Sequence, residues 1–386
     1  MVDFEVVKLN TESFSKLTRR LQFNDVIAGY YRDLDDETRR QYKGIDDSLL
    51  RKADRVETCS KTWDVLWHRL QGYKGVLNAG LCRDKFCVNC QSALAKARES
   101  KYFPMLSELS LSNSIYHIVF TIPNCSGVCL KNTVNRLFES LPCFLKYLRG
   151  QKKLKGFTFD YLGYKGCIRS LEVTYNKKEK TYHPHLHCLL VLNKDLDLDS
   201  RKVLKNSFSY SRDHSEVKFF SDEEVLFQKI WYLLCNGIKV NKENLDNVDI
   251  GYSVSASRSK DSDYKEVFKY AFKGDLNSGE DDNSPKCLSY DNFKDYLGQL
   301  SKKRFIQGYG CFLNYEFENV ELTDDLLDLE FYEFMAELNS LEVPVQLYED
   351  KDVMISNMES GLYKYYSKSS IKKFFLDEKI KELHGR

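Results

Sequence analysis

The sequence predicts an α+β fold: a central antiparallel sheet of the split βαβ kind flanked by helices. A small cysteine-rich zinc module precedes the sheet, and a helical, acidic C-terminal region follows it. Three observations predict this. Strand-like and helix-like patterns alternate as β-α-β-β-α-β-α from Ile115 to about Lys273. The strand 183–192 begins with three alternate histidines and runs into the apolar Cys188-Leu189-Leu190-Val191-Leu192. Cys59, Cys82, Cys87 and Cys90 stand at the spacing C-x22-C-x4-C-x2-C.

In chain order, residues 1–58 read as polar helices. The cysteine module occupies 59–100, a catalytic domain 101–285 and the C-terminal region 286–386. Ile115–Ile122 is an apolar, β-branched-rich strand ended by Pro123-Asn124. Val134, Leu137, Phe138, Leu141, Leu145 and Leu148 recur at helical spacing, with Pro142 expected to split that helix in two. Ile168–Tyr175 and 183–192 form a hairpin around the turn Asn176–Lys180. Ser221 and Glu224 make a capping box that opens a helix through Ile230, Trp231 and Leu234. Val248, Ile250, Tyr252 and Val254 alternate as a strand, and a helix runs from about Asp263 to Lys273. Asp275–Pro285 is a polar loop suited to a domain boundary. Ser370–Arg386 reads as a lysine-rich terminal helix.

Composition is that of a soluble globular protein, with 42% hydrophobic and 30% charged residues. The net charge of +1 hides an asymmetry. Residues 61–190 hold 20 Lys/Arg against 8 Asp/Glu, while 191–386 hold 27 against 37. A basic middle around the histidines suits a polyanion. With 24 Phe and 25 Tyr, some aromatic rings are available for stacking on bases. The acidic start Met1-Val2-Asp3-Phe4-Glu5 does not read as a secretory signal, and no run of 18 apolar residues suggests a membrane span. A cytoplasmic location is therefore expected, where 12 cysteines serve as thiols or metal ligands.

His183, His185 and His187 project from one face of a strand. With the hairpin turn centred near 178–179, Glu172 lies opposite His185 on the same face. One carboxylate beside two imidazoles makes an O/N site with open positions, suited to Mg²⁺ or Mn²⁺ on phosphate. Cys59, Cys82, Cys87 and Cys90 offer four soft ligands for a structural Zn²⁺. On the helix after Asp263, Glu266, Tyr270 and Lys273 share a face. Tyr270 can attack a phosphodiester, Glu266 can serve as general base and Lys273 can neutralise developing charge. Equally, Glu266 can close a capping box with Asp263, and Tyr270 can be an ordinary half-buried aromatic.

The chain resembles the replication initiators of small rolling-circle plasmids of Gram-positive bacteria, within the HUH endonuclease superfamily. Four blocks carry the likeness: Phe120-Thr121-Ile122-Pro123-Asn124; Ser170–Lys178 with His183-Pro184-His185-Leu186-His187; Glu266-x3-Tyr270-x2-Lys273; and Cys59 with the cluster Cys82, Cys87 and Cys90. They fall within roughly residues 55–315. The resemblance implies an HUH-type, RRM-like sheet and a metal-dependent nickase and strand transferase. It would cut one strand at an origin and stay joined to the 5′ end through Tyr270. The 3′-OH would prime synthesis, and Glu266 would serve at termination. His185 and His187 match the family's metal-binding pair, with His183 beside it. Implied partners are origin DNA, single-stranded or extruded as a hairpin, a host helicase, a DNA polymerase and a second copy of the chain. The strand before Pro123 departs from the family pattern with Tyr116-His117-Ile118-Val119-Phe120, and Val88 replaces a common proline. The rival readings are an HUH single-tyrosine transposase, a mobilisation relaxase, or a non-catalytic zinc-containing DNA-binding regulator of replication.

Overall fold

A computed structural model describes residues 5–7, 11–41, 47–59, 64–68, 73–78, 81–194, 198, 220–249, 251–268, 288–317, 343–345, 352–353 and 363–364. Two compact units emerge: residues 1–97 with 276–288 and 321–386, and residues 98–275 with 289–320. Among the described residues, no helix is long and apolar enough to cross a membrane.

The first unit opens with β1 (Glu5–Val7), α1 (Thr11–Gln41) and α2 (Ser48–Thr58). A hairpin of β2 (Asp64–His68) and β3 (Tyr73–Asn78) follows. Three short strands, β9 (Val343–Val345), β10 (Asp352–Val353) and β11 (Tyr363–Lys364), complete it, with β9 paired antiparallel to β1. Ile27, Ala28 and Tyr31 of α1 and Ala53 and Val56 of α2 are buried. The helix α3 (Val88–Ser112) contains the boundary between units, at Ala97 and Arg98.

The second unit is built on a five-stranded antiparallel sheet in the order β7-β4-β6-β5-β8. Its strands are β4 (Asn113–Thr121), β5 (Gly166–Asn176), β6 (Thr181–Asn193), β7 (Val254–Arg258) and β8 (Ile306–Gly310). Helices α4 (Leu130–Leu148), α5 (Asp222–Cys235), α6 (Lys242–Asp246), α7 (Asp261–Phe268) and α8 (Tyr290–Leu300) surround it. The expected β-α-β-β-α-β-α order is present, and so is the α+β class.

Side chains alternate across each strand, so the sheet has two distinct faces. One face is an aromatic core. Phe120 of β4 packs on Phe144 of α4 at 5.1 Å between centroids and on Trp231 of α5 at 4.8 Å. Phe227 of α5 meets Phe144 at 5.2 Å, and the indole N–H of Trp231 donates to the Thr121 carbonyl at 2.7 Å. The other face carries the histidines and receives α7.

Several expectations change. Helix α4 is continuous through Pro142. The lost backbone donor is outweighed by one apolar stripe, Leu137, Leu141, Phe144, Leu145 and Leu148, buried along the helix on both sides of the proline. The strand expected from Val248 begins instead at Val254. Val248 is turned back after α6, its N–H donating to the Leu245 carbonyl at 3.3 Å. At Gly251 a Cβ would lie 2.2 Å from the Gln228 carbonyl oxygen, so the chain presses against α5 there and does not pair. Ile250 lies outside the described residues. Within the region read as helical, Ile306–Gly310 is a strand that extends the sheet beside β5. The loop 275–285, the end of the expected 263–273 helix and the terminal segment 370–386 lie outside the described residues.

The capping box on α5 is present, with the Glu224 N–H donating to Ser221 Oγ at 3.2 Å and the Ser221 N–H to Glu224 Oε2 at 2.7 Å. The other oxygen, Oε1, accepts the Ala256 N–H of β7 at 2.7 Å. This fully buried carboxylate therefore fixes a helix start to a sheet edge. Glu224→Ala strands two buried N–H groups and is expected to cost about 3 kcal/mol, measured by urea unfolding.

Candidate metal centres

Among the described residues, two groups of side chains converge tightly enough to hold a metal ion. The first belongs to the 1–97 unit. The ligand atoms of Cys59, Cys82, Cys87 and Cys90 all lie within 4.8 Å of one another, and all four residues are buried. Cys59 Sγ is 3.4 Å and Cys82 Sγ 3.6 Å from Cys90 Sγ. A tetrahedral zinc with 2.3 Å bonds would set sulfurs about 3.8 Å apart, so only a small expansion is needed.

The local sequence builds this cage. Cys59 caps the end of α2, and Cys90 sits in the first turn of α3, where backbone N–H groups favour a thiolate. Between them, Arg83 adopts a left-handed φ of 58°. That turn aims the Arg83 N–H at Cys90 Sγ at 3.1 Å and the Asp84 N–H at Cys82 Sγ at 3.4 Å. The Cys82 N–H donates to Cys59 Sγ at 3.4 Å, and Asn24 Nδ2 of α1 donates to Cys87 Sγ at the same distance. Such donors stabilise thiolates. The crowded sulfurs of Cys59, Cys82 and Cys90, followed by burial, nonetheless raise the Cys87 thiol far above its ordinary value. As four thiolates these sulfurs would need a cation between them, and the donor set fits zinc. Asp84 braces the turn: Oδ1 accepts the Phe86 N–H at 2.8 Å and Oδ2 the Tyr31 hydroxyl at 2.9 Å.

The second group lies on the histidine face of the sheet. Glu172 stands directly opposite His185, and Ser170 opposite His187, as the hairpin geometry predicts. Glu172, His185 and His187 have ligand atoms within 4.8 Å of one another and are each no more than 9% exposed. Glu172 Oε2 is 2.7 Å from His187 Nε2 and 3.4 Å from His185 Nε2. His185 Nδ1 lies 3.1 Å from the His183 carbonyl oxygen, which fits an Nδ1–H donor and leaves Nε2 with its lone pair toward Glu172. One carboxylate oxygen and two imidazole nitrogens facing a common point fit a divalent cation with further positions open. His183 is a neighbour, its ring 5.0 Å from that of His185, and stands outside the trio.

Two polar residues around this site escaped sequence reasoning. His117 of β4 is 11% exposed, with Nε2 2.9 Å from His187 Nδ1. Asp263 of α7 stands 3.5 Å from His117 Nδ1. Burial, then the neighbouring His187, lower the His117 pKa to about 4, while Asp263 and Glu266 pull it upward. The imidazole is therefore neutral at physiological pH and can both donate and accept. Its signal in the sequence was rarity, one of 7 histidines, but only the pairing of β4 with β6 brings it to His187.

Glu266 lies on α7, close enough to His117 for their charges to interact. The helix is buried through Tyr264, Val267 and Phe268, against Tyr102 and Phe103 of α3. Arg98, itself buried, donates to the Phe268 carbonyl at 3.4 Å and to the Phe317 carbonyl at 2.7 Å. Tyr270 and Lys273 lie outside the described residues.

A replication protein family matches residues 73–206, a span that contains Cys82, Cys87, Cys90, Glu172, His185 and His187. Proteins named Protein rep are similar to this chain. One from Streptococcus pneumoniae serotype 2 (strain D39 / NCTC 7466) is 29% identical over 146 residues, covering 36% of this chain and 41% of that protein. One from Staphylococcus aureus is 26% identical over 220 residues, covering 55% and 84% respectively. One from Bacillus amyloliquefaciens is 23% identical over 173 residues, covering 44% and 46%. The chain thus spans less than half of the Streptococcus and Bacillus relatives. No solved structure gives a significant match.

Proposed function

We propose that this chain, similar to replication proteins of Gram-positive bacteria, is a plasmid rolling-circle replication initiator that nicks one DNA strand at its origin. The observation that carries the reading is the trio Glu172, His185 and His187, converging on one face of a sheet beside the helix that leads to Tyr270. Bound there, Mg²⁺ or Mn²⁺ would polarise the scissile phosphate and offset its charge. The Tyr270 oxygen attacks phosphorus, losing its proton. The bond to the 3′-oxygen breaks, that oxygen takes up a proton, and the strand is left as a 3′-OH with its 5′-phosphate on Tyr270. Glu266 accepts a proton from the second attacking group at termination, and Lys273 neutralises charge on the phosphate. The four-cysteine zinc cage would stabilise the unit that contains α1 and α2.

Origin DNA, single-stranded or extruded, is the substrate. A host DNA polymerase would extend the 3′-OH while a host helicase unwinds the duplex, and a second copy of the chain is a further candidate partner. A cytoplasmic location goes with this reading. The test is to mix the protein with Mn²⁺ and its own replicon as supercoiled DNA, digest, and map nucleotide-bearing peptides by mass spectrometry. The expected result is a 5′-nucleotide on Tyr270 that EDTA prevents and that Tyr270→Phe reduces at least 10³-fold. Tight DNA binding without nick or adduct under several divalent metals would overturn the reading in favour of a non-catalytic regulator.

A further inference from the structure

We propose that His117 and Asp263 are positioning residues that couple the divalent-metal site to helix α7. The inference rests on the reading of Glu172, His185 and His187 as metal ligands. His117 is the diagonal neighbour of His187 across the β4–β6 pairing, since it stands opposite Leu189. The two rings lie 5.1 Å apart between centroids and 5° from parallel, as an in-plane N–H···N contact requires. His187 Nδ1 faces His117 Nε2 at 2.9 Å, and His117 Nδ1 faces Asp263 Oδ1 at 3.5 Å.

The direction of these bonds follows from the chemistry of the ring. A cation on Nε2 of His187 leaves the proton on Nδ1, which then donates to His117 Nε2. His117, accepting at Nε2, carries its own proton on Nδ1 and turns it toward the Asp263 carboxylate, 3.5 Å away. The opposite order sends Nε2–H of His187 to Glu172 and turns the Nδ1 lone pair of His117 toward the carboxylate, which is repulsive. Metal binding and the His117–Asp263 contact therefore favour one another. His185 has no such reach, because its Nδ1 is satisfied by a carbonyl of its own strand.

Asp263 is the third residue of α7. Its Oδ2 accepts the Lys260 N–H at 2.8 Å, so the carboxylate that faces His117 also ties the residue before the helix to its first turn. Glu266 lies one turn further along, and Phe268, two residues before Tyr270, is held at its carbonyl by Arg98. The proton order of one metal ligand is thus transmitted to the start of the segment that carries the proposed base and nucleophile.

The test uses the full chain and Mn²⁺ or Mg²⁺ alone, without DNA. Calorimetry should show Mn²⁺ affinity falling about 10- to 100-fold in His117→Phe. His117→Gln should stay within about threefold of wild type, because its amide oxygen accepts and its amide nitrogen donates along the same path. Asp263→Asn should fall between them, and it carries the test if His117→Phe fails to fold. Hydrogen exchange gives the second readout: Mg²⁺ should slow the amides of α7 in wild type and His117→Gln, but not in His117→Phe. Wild-type Mn²⁺ affinity in both His117→Phe and Asp263→Asn would overturn the coupling while leaving the metal site intact. A wild-type protein that binds no Mn²⁺ would overturn the metal reading and the coupling with it.

Discussion

His187→Ala is expected to lower nicking on the order of 10³-fold or more, with loss of measurable Mn²⁺ binding. Glu172→Gln is expected to approach the same loss, although it keeps the size of the side chain. The trio supplies one negative charge and two nitrogen lone pairs to a common point. Removing His187 leaves one carboxylate and one imidazole, and Glu172→Gln leaves three neutral donors, so each variant should bind the ion far more weakly. Glu172→Gln also tests charge separately from shape. An amide oxygen can still face His187 Nε2, where Glu172 Oε2 now sits at 2.7 Å, so folding should survive. The measurement is single-turnover nicking of an origin oligonucleotide against Mn²⁺ concentration, with thermal unfolding as the control. Unchanged turnover in both variants would remove the trio from the chemistry.

The second large effect concerns the cysteine cage. Cys87→Ser, or prolonged chelation, is expected to release one zinc per chain and to unfold the unit that contains α1, α2 and the cage. Structural zinc contributes on the order of 10 kcal/mol to the fold that binds it, comparable to the whole stability of a domain. The two helices alone bury a modest core around Ile27, Ala28, Ala53 and Val56. Elemental analysis of the purified protein, with circular dichroism before and after chelation, checks this. Metal-free protein of undiminished helicity and thermal midpoint would show the cage to be a cluster of buried thiols.

The sheet and the convergence of Glu172, His185 and His187 were legible where contacts are local. A hairpin's pairing follows from where its turn falls, so the turn at Asn176–Lys180 was enough to set Glu172 against His185. The C-x4-C-x2-C spacing marked three sulfurs of the cage, and its fourth came from a lone cysteine upstream. The Ser221–Glu224 box announced the start of α5 because both halves lie within four residues. Long-range pairing was not legible. His117 meets His187 only because β4 runs beside β6, and no local pattern sets that register. Ile306–Gly310 becomes a strand because β5 offers an open edge, a tertiary influence absent from its own residues. Pro142 misled because the rule against proline concerns an isolated helix, while packing along α4 decides the outcome here.

The β5–β6 hairpin has a consequence for how the molecule comes into being. Glu172, His185 and His187 all lie on strands joined by a four-residue turn, Lys177–Lys180, so this ligand set is brought together by one of the quickest closures in the chain. The sheet's outer edge is sealed much later, when Ile306–Gly310 reaches back to Gly166–Ser170. During synthesis, β5 must wait on the ribosome with an unpaired edge while well over a hundred further residues emerge. A divalent ion captured early by the hairpin would brace that exposed strand through the interval, and chains ending before residue 306 should aggregate.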